Sequence, residues 1–352
     1  MEHFYDAIDL LKGMITRPSY SREESAVADF LQSQWQKAGH QVCRKENNLW
    51  ITACGFETGR PTILMNSHID TVHPVVGWDK DPFVPEEDGN CLYGLGSNDA
   101  GASVVALYEA FVLLSAKNQP YNLIFLASAE EEVSGKKGVE SVWEDLPPID
   151  FGLVGEPTDM QPAIAEKGLM VLDCISRGVA GHAARNDGVN AITEAINDIQ
   201  WFHHFIFPKQ SDLLGPVKMT TTLIKAGTQH NVIPDCCEFT VDIRTNEMYS
   251  NDELYREIKE QVASEVISRG FRLNSSRIDP NHPFVQRAVM LGKTPFGSPT
   301  LSDQALMNFP TVKIGPGDSS RSHTANEYIR LSEIREAIAL YVRLLDQLKI
   351  ES

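Results

Sequence analysis

PTILMNSHID, residues 61–70, sets the pattern that decides the fold. Thr62–Met65 is a short apolar run of the kind that builds a buried strand, and His68 and Asp70 follow it. The same order recurs three times. NLIFLASAEEE (122–132) carries the run Asn122–Ala127 into Glu130, Glu131 and Glu132. FGLVGEP (151–157) carries Phe151–Val154 into Glu156, and TVKIGPGDSSRSH (311–323) carries Thr311–Ile314 through a Gly-, Pro- and Ser-rich loop to His323. Helical stretches lie between, notably Ala102–Ala116 and Lys137–Trp143, and an amphipathic helix is expected over about Ser332–Leu348. Strands alternating with helices predict an α/β fold with a largely parallel central sheet.

Working outward, the opening residues predict helix, turn, helix. Ser21 and Glu24 have the spacing of a capping box, Val27, Phe30, Leu31 and Trp35 follow at helical spacing, and Gly39 closes the element. The stretch 166–276 has another rhythm. Glu166–Arg177 is strand-like, Asn190–Phe205 helical, Lys218–Lys225 and Glu238–Arg244 strand-like, Asp252–Arg269 helical, and Phe271–Ser275 strand-like. That order, βαββαβ, predicts an inserted α+β, ferredoxin-like domain. The expected organisation is a catalytic domain in two parts, 1–165 and 277–352, with the insertion at 166–276.

The bulk properties limit the partners. At 352 residues, with 42% hydrophobic and 22% charged content, the chain is an ordinary globular protein. A net charge of −17 argues against nucleic acid as a partner, because phosphate binding needs a surplus of Lys and Arg. Glu2, Asp6 and Asp9 interrupt the first apolar stretch, so no signal peptide is expected, and no apolar run is long enough to span a membrane. The six cysteines form no CxxC pair and predict reduced thiols in a cytoplasmic protein.

In an open α/β sheet, ligands bind in the crevice outside the carboxyl ends of the strands. Here His68, Asp70, Glu130–Glu132, Glu156 and His323 are all delivered to such ends, and Asp99 sits just before the helix that begins near Ala102. Taken singly, each is ordinary: a lone His after a strand is usually a surface residue, and a Glu-Glu-Glu run a solvated face. Together they are not. Carboxylates gathered in one crevice raise one another's pKa unless cations lie between them. Two imidazoles with several carboxylates and no thiolate suit zinc, cobalt or manganese.

HIDTVHPVVGWDKDPF (68–83), YGLGSNDAGAS (93–103), SAEEEVSGKKG (128–138), GEPTDMQPAIAEKG (155–168) and NVIPD (231–235) resemble, in order, the motifs of the co-catalytic zinc aminoacylase/carboxypeptidase family. That family includes acetylornithine deacetylase, succinyl-diaminopimelate desuccinylase and small peptidases. The resemblance implies two Zn2+ ions, with Co2+ or Mn2+ as substitutes. Asp99 would bridge them, His68 and Glu156 would complete one site, and Glu132 and His323 the other. It further implies Glu131 as general base and Asp70 as the carboxylate that orients the His68 ring. The inserted domain would act as a lid and homodimerisation module. Its His182, in Gly181-His182, would support the oxyanion, within its own subunit or across a dimer. Asn231, Arg244 and Gly317 match substrate-contacting positions, and an Arg fork suits a carboxylate. The chain departs from the family at Asp99-Ala100-Gly101-Ala102, where Asp-Met-Lys-Gly is common.

The activity implied is deacylation of a small N-acyl amino acid, foremost N-acetyl-L-ornithine to ornithine and acetate in arginine biosynthesis. Three alternatives stay open at this point. One is a desuccinylase acting on N-succinyl-ornithine or N-succinyl-diaminopimelate, the second a di- or tripeptidase, the third a catalytically silent scaffold that keeps only the fold.

Overall fold

The computed structural model describes residues 2–185 and 187–350, excepting the side chains at positions 2, 3 and 5. The chain divides into two compact units. One comprises Met1–Ile164, Ile278–Phe296 and Ser302–Ser352, and the other Ala165–Arg277 with Gly297–Leu301.

The first unit is built on a mixed sheet of nine strands, seven of which lie in the order Val42–Lys45, Asn48–Thr52, Asn122–Ser128, Thr62–His68, Phe151–Val154, Thr311–Lys313, Ala163–Glu166. Its central four strands are mutually parallel, and both flanks pair antiparallel. Thr62–His68, Asn122–Ser128 and Phe151–Val154 are buried along their whole length, which explains their continuous rather than alternating apolar runs. The helix Ala102–Ser115 covers the sheet and packs against Glu2–Ile15 and Leu331–Leu345. It is apolar around nearly its whole circumference, as a helix enclosed on every side must be. Trp35 stacks on Tyr108 at 5.3 Å between ring centroids and meets Phe125 edge-on at 5.4 Å, locking the helix Ser25–Lys37 to this layer.

Three sequence expectations need correction in this unit. Ser21 and Glu24 do not form a capping box: Glu24 is the N-cap of Ser25–Lys37, but no side chain bonds the helix end. Both side chains are engaged elsewhere, Ser21 with Asp70 and Glu24 with the N–H groups of Arg22 and Glu130. Lys137–Trp143 is no α-helix but a 3-10 turn over Val139–Asp145. His68 does not follow its strand; it is the last residue of it.

The second unit carries a four-stranded antiparallel sheet in the order Lys218–Ala226, Cys236–Thr245, Gly168–Arg177, Glu265–Ser268. Gly168–Arg177 alternates buried and half-buried positions, so one face of the sheet lies on a core with the helices Ala191–His204 and Asn251–Gln261. The core includes Leu172, Phe202, Phe239, Val241, Leu254 and Ile258. Asn190 caps the first helix, and Ser250 with Glu253 makes a true capping box on the second. The last helix and strand are displaced from expectation. The helix stops at Gln261 rather than Arg269, because Asp198 accepts the N–H groups of Ala263 and Ser264 and draws the chain into a strand at Glu265–Ser268. Phe271–Ser275 is therefore connecting chain, with the Asn251 amide donating to Leu273 O at 2.9 Å.

All six cysteines are free thiols. Among the described residues no helix is long and apolar enough to cross a membrane.

Candidate metal centre

Each element of the first unit brings its polar residue to one place. His68 Nδ1 lies 2.9 Å from the backbone oxygen of Asp70 and 3.4 Å from its carboxylate. With Nδ1–H donating there, Nε2 is the nitrogen left to ligate a metal once its proton is displaced. That Nε2 is 3.2 Å from Asp99, 3.6 Å from Glu156 and 3.9 Å from Glu131. Asp70 accepts the N–H of Glu131 at 3.0 Å and of Glu132 at 3.1 Å, so it orders the acidic turn as well as the imidazole. Glu131 and Glu132 sit in a single 3-10 turn, Glu131–Val133, flanked by left-handed residues at Glu130 and Ser134.

Glu156 leaves the strand Phe151–Val154 through Gly155. A Cβ on Gly155 would lie 2.6 Å from Leu107 and 2.8 Å from Ser103, so only glycine lets the strand end press onto the helix Ala102–Ser115. One carboxylate oxygen of Glu156 is buried with no hydrogen-bond partner. His323, at φ +57°, places Nε2 3.0 Å from Glu132 and 3.7 Å from Asp99. Gly317 packs against Asn98, whose Oδ1 a Cβ would approach to 2.2 Å.

Two residues not singled out in the sequence hold this arrangement together. Glu327 is buried and accepts three backbone N–H groups, from Gly96 at 3.0 Å, Asn98 at 2.8 Å and Asp99 at 2.9 Å. The Asn98 side chain accepts the Asp318 N–H and donates to Asp318 O and Ser322 Oγ. The Asp99 loop and the His323 loop are thereby joined. The only sequence signal for Glu327 is its place four residues after His323.

The electrostatics of the cluster are those of a cation site. Burial pushes Glu156 up to about 8 and raises Glu131 and Glu132, with the neighbouring carboxylates adding to the effect. His68 resists its own burial and is raised well above 6.5 by Glu131, Asp70 and Asp99, while the Glu132 bond lifts His323 to about 9. Asp99, although buried, is held below the usual range by His68. These directions favour protons or cations among the carboxylates, and divalent ions would supply that charge. Two overlapping donor sets lie within 4.8 Å, His68 with Glu131 and Glu156, and His68 with Asp99 and Glu132. His323 joins the second through Glu132 and Asp99. These hard oxygen and imidazole donors fit metal, and the orphaned oxygen of Glu156 fits it too.

Residues 64–347 match the family model described as peptidase family M20/M25/M40. The chain belongs to that family. As an M20 protein it is a metal-dependent amide hydrolase. It is 28% identical to a [LysW]-lysine/[LysW]-ornithine hydrolase of Sulfurisphaera tokodaii, over 97% of this chain and 95% of the relative. It is 30% identical to an acetylornithine deacetylase of Pectobacterium carotovorum subsp. carotovorum, over 92% of each, and 26% identical to a succinyl-diaminopimelate desuccinylase of Xylella fastidiosa, over 98% and 99%. Among solved structures the aminopeptidase PepT of Bacillus cereus superposes with a TM-score of 0.78 at 19% identity, covering 98% of each chain, which shows the M20 fold.

The remaining residues named from the M20 motifs lie in the second unit. His182 is exposed on the short strand Gly181–His182, which pairs with Val232–Ile233. Its Nδ1 accepts the Ala184 N–H at 3.1 Å, and the Ala183 N–H donates to Asn231 O, so His182 and Asn231 are neighbours. Arg244, on Cys236–Thr245, donates through Nε and one Nη to Asp242 at 2.9 and 3.2 Å.

Proposed function

We propose that the protein is a two-zinc deacylase of N-acyl-L-amino acids, with N-acetyl-L-ornithine as substrate. The observation that carries this reading is the convergence of His68, Asp99, Glu131, Glu132, Glu156 and His323 within direct contact distance in the first unit. The acetylornithine deacetylase relatives, 29–30% identical over 92–93% of the chain, support the choice of acyl group.

Bound divalent ions would be held by His68, Asp99, Glu132, Glu156 and His323, and supply Lewis acidity that makes water a nucleophile near neutral pH. The protein's own groups carry the protons. Glu131, raised by burial, is a stronger base than a solvated carboxylate; it accepts the proton of the attacking water and returns it to the departing amine. Asp70 holds the turn that aims it. In the second unit, the Ala184 N–H on Nδ1 leaves the His182 proton on Nε2, where it can donate to a developing oxyanion. Asp242 takes part of the Arg244 fork, whose five donors leave others for a substrate carboxylate. A location in the cytoplasm and assembly as a homodimer through the second unit accord with this role.

One feature favours desuccinylation as a second reading. Lys167 is half-buried, and burial together with Lys218 and Arg244 lowers its pKa, so these three cations form a local positive cluster in an acidic protein. Recognition of a succinyl carboxylate calls for a cationic cluster of this kind. The deciding experiment is an assay of zinc- or cobalt-loaded enzyme on N-acetylornithine, N-acetylcitrulline, N-succinylornithine, N-succinyl-diaminopimelate and simple dipeptides. Preference for N-acetylornithine is expected. Faster turnover of a succinyl amide would transfer the assignment, and comparable rates on dipeptides would remove the biosynthetic reading.

A further inference from the structure

The Ser21–Glu24 turn is idle as a helix cap, yet it reaches the acidic turn of the metal centre, Glu24 directly and Ser21 through Asp70. Three consecutive N–H groups there end on two carboxylates. Glu130 donates to Glu24 at 3.2 Å, Glu131 to one oxygen of Asp70 at 3.0 Å, and Glu132 to the other at 3.1 Å. Both carboxylates are 0% exposed. Each is held in turn from the N-terminal segment. Ser21 Oγ donates to Asp70 Oδ2 at 2.7 Å, and the Arg22 N–H donates to Glu24 at 2.6 Å, with the Asn47 amide on its other oxygen at 2.9 Å. The segment is fixed against the strand end by the Thr71 N–H, which donates to Ser19 O at 2.8 Å.

The acidic turn needs such support. Glu130 and Ser134 have φ of +56° and +44°, a conformation unfavourable for residues with a Cβ, and they bracket the two functional glutamates. A backbone held this way persists only where its surroundings determine it. A buried carboxylate with fewer donors is also free to turn toward whatever donor remains.

We propose that Ser21 is a positioning residue for Glu131: its hydroxyl fixes the Asp70 carboxylate, which fixes the Glu131 and Glu132 backbone and so the aim of the Glu131 side chain. The kinetic half of this proposal rests on Glu131 acting as base in the hydrolysis proposed above; the positional half does not. Ser21 is only half-buried, so its removal is compatible with folding.

The test compares the zinc-loaded wild type with Ser21→Ala and Ser21→Thr by two readouts. Hydrogen exchange of the peptide covering 129–134 is expected to quicken about tenfold in Ser21→Ala, to stay unchanged elsewhere, and to return to the wild-type rate in Ser21→Thr. On N-acetylornithine, kcat is expected to fall about tenfold in Ser21→Ala with KM unchanged, and the threonine variant to recover it. Unchanged exchange in this peptide, or faster exchange throughout the protein, would overturn the proposal. A loosened turn with unchanged kcat would overturn its link to Glu131. If the wild type hydrolyses no acyl amino acid, the substrate assignment fails, while the exchange comparison still decides the positioning role.

Discussion

Removing metal should make this protein's stability fall as pH rises, which is the reverse of ordinary acid denaturation. The groups responsible include Glu156 and Glu327, each raised by burial from 4.5 to about 8, and His323, raised by Glu132 from 6.5 to about 9; the raised His68, Glu131 and Glu132 add to them. A group whose pKa is higher in the folded state gives stability that is complete below its unfolded pKa and lost as pH climbs through its folded pKa. All of these groups therefore act in the same direction. For Glu156 that window is pH 4.5 to about 8, and for His323 pH 6.5 to about 9. Half-buried His40 and His282, whose pKa values are lowered by partial burial, act oppositely up to 6.5, so the decline is read above that value. Carboxylates held low, such as Asp173 and Asp346, are already ionised there.

Between pH 6.5 and 8, at about 1.4 kcal/mol per pH unit, Glu156 alone accounts for about 2 kcal/mol. His323 is 52% exposed and adds a smaller share after solvent screening. A loss of about 2 kcal/mol lowers the melting temperature of a unit this size by roughly 4–8 °C. The assay is thermal unfolding of chelator-treated protein between pH 6.5 and 9, with a parallel series in excess zinc. Zinc should abolish or invert the trend, because its ligands bind it deprotonated and affinity grows with pH. A metal-free melting temperature that holds steady or rises across this range would show that these groups do not control stability.

Two further substitutions probe single links. Glu131→Gln should keep its bound metal, measured by plasma emission spectroscopy, and lose about 10²–10⁴-fold in kcat; near-normal turnover would remove Glu131 as the base. Glu327→Gln places an amide NH2 against at least one of the N–H groups of Gly96, Asn98 and Asp99, leaving a buried donor unmatched at a cost of about 1–3 kcal/mol. Weaker zinc binding by calorimetry should accompany lower stability in urea; unaltered affinity would show that Glu327 does not position Asp99.

The parts of the fold that were legible in the sequence are those whose signal is local. Thr62–Met65, Asn122–Ala127 and Phe151–Val154 are buried on both faces, so hydrophobicity alone marks them. The antiparallel flanks were not predicted: Val42–Lys45 is short and only partly buried, and its alternation is too brief to register. The βαββαβ order of the second unit was readable, but its last strand was misplaced because Asp198, 66 residues before Ser264, ends the preceding helix.

The same division holds at the site. His68, Asp99, Glu131, Glu132, Glu156 and His323 could be found because each is a metal-type residue at a strand or loop end. Their supports could not. Ser21 and Asp70 are 49 residues apart, Glu24 and Glu130 106, and Glu327 and Asn98 229. Ser21-x-x-Glu24 carried a local signature for a cap, and tertiary hydrogen bonds to the acidic turn displaced it.

The central proposal is that strand ends distant in sequence build one centre that would hold two metal ions, with Asp99 serving both. Zinc titration of the metal-free protein by calorimetry, alongside Asp99→Asn, tests it most directly. Two equivalents are expected to bind the wild type, with both affinities weakened in the variant because a shared carboxylate charge is lost. A single equivalent in the wild type, or two with undiminished affinity in Asp99→Asn, would contradict it.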